Sequence, residues 1–184
     1  MMWMHVACEL LLAACCLPPS LAAGRRGALL AAIGFGLIGV AAFLGAWVYA
    51  GAQGLVPTHE LATFFAARLS LFLIAVAPPH GRMQWVGVAA AGVVALLIPS
   101  PLDLAVSVLA LGAIAWKGRS QRWPLAVTGA ALFALAGLVV GTQGAWLGIP
   151  RVDLYHLSIA AAVLAWLAAG VARTGQRTLS ALSR

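Results

Sequence analysis

The stretch Pro150-Arg151-Val152-Asp153-Leu154-Tyr155-His156-Leu157 brings several charged or titratable side chains to the head of the last apolar run of the chain. Asp153 and His156 are three residues apart. On a helix they share a face, so a carboxylate can hold one imidazole nitrogen while the other nitrogen meets a ligand. His5 stands one helical turn before Glu9, and His59 is next to Glu60 at the head of the third apolar run. Imidazole beside carboxylate is the usual equipment of general acid–base chemistry and, with a third donor, of a metal site.

Ordinary roles account for part of this set. Carboxylates favour helix N-termini, and Glu60, Asp103 and Asp153 each fall at such a position. Trp3, Trp47, Tyr49, Trp146 and Tyr155 suit an interfacial aromatic belt. Glu9 does not fit capping, because Ala7, Cys8, Leu10, Leu11 and Leu12 surround it. A carboxyl group in an apolar run faces a bundle interior or water and needs a partner. The other charge inside a run is Arg68, on the face Glu60, Phe64, Arg68. The sequence therefore predicts a structural ion pair of Arg68 with Glu9 or Glu60.

The elements that position these residues are membrane spans. With 64% hydrophobic and 8% charged residues, the chain has too few polar side chains to cover a water-facing surface, and it reads as an all-α, multi-pass bundle in a plasma or inner cell membrane. Apolar runs occupy about 3–23, 28–50, 60–78, 83–99, 101–116, 123–142 and 154–172, within a single domain over 1–184. The fourth and fifth runs are short and are joined by Pro99-Ser100-Pro101. They thin the bilayer locally or form a half-inserted hairpin, and the parity of later runs is the same either way.

The net charge of +7 would suggest nucleic acid in a soluble domain, but these basic residues lie in short loops between apolar runs. Arg25, Arg26, Arg82, Lys117, Arg119, Arg122, Arg173, Arg177 and Arg184 fall on one side, and Arg151 on the other. The expected arrangement is seven transmembrane helices with the N-terminus outside and the C-terminus inside. A cleaved signal over the first run, ending near Ser20-Leu21-Ala22-Ala23, lacks the positive n-region it needs. Cys8, Cys15 and Cys16 have no CxxC spacing and read as buried small hydrophobes.

In that topology all four acids, and His5, His59 and His156, gather toward the outer face; His80, beside Arg82, lies inside. Seven spans, a Glu in the first and a His at the head of the seventh resemble the superfamily of membrane hydrolases that includes alkaline ceramidases and the progestin and adipoQ receptors. Glu9 matches the superfamily's first-span acid, and His156 matches the second His of its last-span HxxxH motif. Val152 stands at the first His of that motif, the second-span Ser and His are missing, and His59 and Glu60 stand roughly where the third-span Asp would be.

The resemblance implies zinc and a metal-bound water that attacks a lipid amide or ester. Here it implies either a degenerate member without zinc, or a metal held by His5, His59 and His156. Glu9 or Glu60 would serve as the general base, and Asp153 would complete the catalytic set by holding an imidazole from behind. The alternative is a non-enzymatic protein whose outer pocket binds lipid, copper or haem. Met1, Met2, Met4 and His5 form a soft-ligand tip suited to Cu(I), and His59 with His156 could be axial ligands. Retinal is disfavoured because the seventh run has no Lys for a Schiff base. The partners expected are the lipid bilayer and a lipid substrate or ligand, not nucleic acid.

Overall fold

The computed structural model describes residues 2–77, 83–97, 99–118 and 122–173. Met1 of the proposed copper tip, and His80, Arg82, Arg119, Arg177 and Arg184 of the basic loops, lie outside the described residues. Seven α-helices make up most of the described chain: α1 (Met2–Gly24), α2 (Leu29–Tyr49), α3 (Val56–Val76), α4 (Met83–Leu97), α5 (Ser100–Lys117), α6 (Trp123–Leu135) and α7 (Arg151–Ala169). A π-helical turn, Ala136–Val140, extends α6, and a small antiparallel hairpin of β1 (Ala145–Trp146) and β2 (Ile149–Pro150) leads into α7.

Helix boundaries follow local chemistry. α3 starts four residues ahead of the expected apolar run because Pro57 in its first turn supplies a preset φ and lacks only an N–H that would be unpaired there. It stops at Ala77, which is extended at ψ 136°, as a residue before proline prefers. α7 starts at Arg151, three residues early, which places Asp153 in its first turn. It ends on Gly170 in the left-handed region at φ 80°, where its N–H closes back on the Leu167 carbonyl.

α1, α2, α3, α5, α6 and α7 pack in that order as a ring that closes where α7 meets α1; α4 lies outside it, against α3. α1 and α7 run parallel, since His5 and Asp153, each near the start of its helix, are bonded to one another. At the opposite end Lys117 Nζ reaches the Ile74 carbonyl and Arg122 Nη1 the Ala168 carbonyl, so cations sit on the C-termini of α3 and α7. The described basic residues Arg25, Arg26, Lys117 and Arg122 thus share one end of the bundle, and His5, Glu9, His59, Asp153 and His156 lie toward the other.

Trp166 fixes the α6–α7 seam. Fully buried, it stacks on Phe133 at 5.6 Å between ring centroids, meets Phe35 edge-on, and donates from Nε1 to the Ala126 carbonyl. Gly129 makes room for it, because a Cβ there would come within 2.6 Å of the indole.

Five of the helical stretches are long and apolar enough to cross a membrane: Met2–Gly24, Leu29–Tyr49, Gln53–Val76, Trp123–Val140 and Arg151–Ala169. α4 and α5, the fourth and fifth apolar runs, are not among them. Their depth follows from Arg68, whose guanidinium lies 4.7 Å over the Phe64 ring, one turn back toward the start of α3. There it pairs with Asp103 at 3.0 Å, in the first turn of α5. At 1.5 Å per residue, α5 therefore begins roughly a turn and a half below the start of α3.

This pairing corrects the expected ion pair of Arg68 with Glu9 or Glu60. Glu9 turns to His156 instead, and Glu60 is exposed. The physical reason is that α2 stands between α1 and α3, while α5 is packed directly on α3. Double-mutant cycles in detergent-solubilised protein should show coupling of roughly 0.5–3 kcal/mol between Arg68→Gln and Asp103→Asn, and additivity between Arg68→Gln and Glu9→Gln. Gly129→Ala should lower thermal stability by about 1–3 kcal/mol through overpacking against Trp166, measured by the same melts.

Candidate functional site

The ring positions the polar residues by register alone. His5 and Glu9 are one turn apart on α1, Asp153 and His156 nearly one turn apart on α7, and the two helices run side by side. His5 Nδ1 is 2.6 Å from Asp153 Oδ1, and a carboxylate can only accept, so the imidazole donates. One turn deeper, His156 Nε2 lies 3.7 Å from Glu9 Oε1. The result is two carboxylate–imidazole pairs stacked along one seam, with acid and base exchanged between the helices. Glu9 is 2% exposed and Asp153 1%.

His59 joins this cluster from α3, across α2. Its Nδ1 donates to the Ala41 carbonyl at 3.1 Å, which makes Nε2 the lone-pair nitrogen. Gly45 of α2 is what allows the approach. A Cβ at this position would overlap Glu9 Oε1, come 2.8 Å from Glu9 Cδ and stand 3.0 Å from His59 Cε1. One glycine is therefore flanked by the carboxyl of α1 and the imidazole of α3.

Below these side chains the ring encloses a cavity of about 300 Å³. Its polar end is built by Glu9, His59, Tyr155 and His156; its deeper walls are Leu12, Ile38, Leu71, Leu111, Phe133 and Ile159. The Ser70 hydroxyl, far down the cavity, is already bonded to the Ala66 carbonyl. Leu104 of α5 and Leu138 at the end of α6 line the cavity and are also 54% and 63% exposed, so the cavity opens sideways through the wall of the bundle. α5 begins low on this side.

Three polar atoms of the cluster have no hydrogen-bond partner: Glu9 Oε2, Asp153 Oδ2 and His156 Nδ1. The first and last belong to residues that line the cavity. Leaving such a group unsatisfied costs about 1–3 kcal/mol, and all three atoms are shut off from solvent as the side chains stand.

The residues expected to form a site therefore divide. Glu9, His59 and His156 meet at the cavity; His5 and Asp153 stand behind them as a bonded pair; Glu60 is exposed and outside it. The trio His5, His59 and His156 does not assemble as metal ligands, and among the described residues no three His, Cys, Asp or Glu side chains are placed to hold one ion. His5 gives Nδ1 to Asp153 and His59 gives Nδ1 to a carbonyl, which orients each ring and leaves its Nε2 as the nitrogen available to a ligand. Asp103, which reads as a helix cap, serves as the partner of Arg68. Nothing in the sequence marks Gly45 among 20 glycines. Compared with protein-family models, curated proteins and solved structures, the chain matches none of them.

Gly45→Ala should force Glu9 and His59 apart and lower the melting temperature in detergent. Shortening the acid in the double variant Gly45→Ala/Glu9→Ala should recover much of the loss; an unchanged melt for the single variant would mean that the glycine is not a contact.

Proposed function

We propose that the protein is a membrane protein whose cavity binds an amphipathic, lipid-class molecule, the polar part against Glu9, His59 and His156 and the hydrocarbon among the deeper apolar walls. The observation that carries this reading is the cavity's own polarity: the side chains of Glu9, His59, Tyr155 and His156 at one end, apolar side chains at the other, and a sideways opening at Leu104 and Leu138. A molecule that lives in the bilayer can enter by such an opening without crossing water.

The placement in the membrane belongs to the same proposal. The cluster end faces outside and the basic end inside, because short-loop Lys and Arg stay cytoplasmic. α1, α2, α3, α6 and α7 cross fully, and α4 with α5 forms the shorter pair. This keeps the parity of a seven-span chain, as the parallel α1 and α7 require.

Hydrolysis of the bound lipid is a second reading, favoured by one observation. Glu9 and His156, the two positions that match the ceramidase and adipoQ-receptor superfamily, face each other at 3.7 Å at the head of the cavity. A carboxylate beside an imidazole there is placed to take a proton from a water attacking the lipid's ester or amide.

Gly137 provides the test. It lines the cavity, and a Cβ on it would meet nothing within 4 Å. Gly137 is exposed beside Leu138 at the sideways opening, so Gly137→Leu should fold normally and obstruct that opening. Native mass spectrometry of protein extracted in mild detergent should show retained lipid on the wild type and at least about tenfold less on Gly137→Leu, the equivalent of 1.4 kcal/mol. Wild-type protein without lipid would sink the binding reading, and turnover of the retained lipid that Glu9→Gln abolishes would establish hydrolysis.

A further inference from the structure

The charge pattern of the cavity restricts the head group it can take. Among the described residues no Lys or Arg lines the cavity. Arg68 is paired with Asp103, Lys117 lies at the other end on the Ile74 carbonyl, and Arg151, which gives Nη2 to the Val139 carbonyl and keeps an unpartnered Nε, is not among the lining residues. Two carboxyl groups, Glu9 and Asp153, are buried at or behind the polar end, each with one unpartnered oxygen. The histidines facing them are His5 on Asp153 and His156 on Glu9, with His59 across Gly45.

A phosphate or carboxylate head would enter a low-dielectric site with no fixed cation and two acids beside it. An uncompensated buried charge is among the most expensive arrangements available to a protein, and this holds whichever of the acids carries a proton. Hydroxyl groups behave differently. A hydroxyl carries no charge and can both donate and accept, which matches the mixed donors and acceptors of Glu9, His59, Tyr155 and His156 at the polar end.

We propose that the cavity selects a neutral lipid with a hydroxyl-bearing, glycerol-type head and rejects the same lipid when it carries a phosphate. This rests on the lipid-binding reading above and adds to it the class of the head group.

The matched probes are 1-oleoylglycerol and its lysophosphatidate, which share the acyl chain and differ by the phosphate. Binding to the full-length protein in neutral detergent, read by displacement of a fluorescent monoacylglycerol, should favour the neutral lipid by about tenfold or more. Glu9→Gln should weaken monoacylglycerol binding several-fold. If that variant does not fold, Thr63→Lys decides: it places a cation on the exposed cavity wall one turn from His59 and should raise lysophosphatidate affinity. Free glycerol should not compete at equal concentration; if it does, the occupant is a soluble polyol and not a lipid. Equal or tighter binding of the lysophosphatidate, or no gain in Thr63→Lys, overturns the head-group inference and leaves the lipid cavity standing. Binding of neither probe overturns the lipid reading itself.

Discussion

A carboxyl group cannot be buried among apolar side chains without a partner, and Glu9 is the residue that imposes this on the bundle. With Leu12 a turn below and Gly45 against its carboxyl group, it has no route to bulk water along its own helix. His156 answers from α7, and Asp153 in turn accepts a hydrogen bond from His5 of α1. Because the acid of each pair comes from the opposite helix, the two contacts fix both the direction and the register of α7 on α1. A slip of one turn would leave two buried acids and two imidazoles facing hydrocarbon, a penalty of several kcal/mol. Closure of the ring depends on that constraint.

Closure has a structural consequence. A ring of six helices has an interior, and here the interior is not filled. Where large side chains meet small ones, as Trp166 meets Gly129, the seam is tight. Toward the cluster end the inward residues are Ala41, Ala42, Ala66, Ala134 and Gly137, and the space they leave is the cavity. The same small residues that let helices approach closely thus determine both the packed half of the bundle and the open half. α5 contributes by starting low. Its Asp103 meets Arg68 well below the rim, so the ring wall is incomplete on that side and the cavity opens through the flank of the bundle.

Much of the fold could be read from the sequence. Seven apolar runs became seven helices, with boundaries moved by a few residues where Pro57 and Pro150 set the backbone. The grouping of His5, Glu9, His59, Asp153 and His156 at one end was legible too, because spacing along parallel helices is a one-dimensional property. The pairing within that group was not. Arg68 lies on a face with Glu60, and Glu9 was an equally reasonable partner by depth, yet α2 separates α1 from α3 and α5 brings Asp103 instead. Convergence of three imidazoles on an ion was likewise a matter of helix neighbour order and ring direction, and among the described residues no three His, Cys, Asp or Glu side chains are placed to hold one ion.

Composition, run length and the placement of Lys and Arg by themselves determined that the chain is a helical membrane protein with a chemically distinct end, since hydropathy and charge act on each segment independently of its neighbours. Which side chains touch was decided only by the tertiary structure. Helix neighbour order, the low start of α5 and the absence of a single Cβ at Gly45 are set by packing among segments far apart in the chain. They turn a list of acids and histidines into two stacked pairs at the head of a cavity.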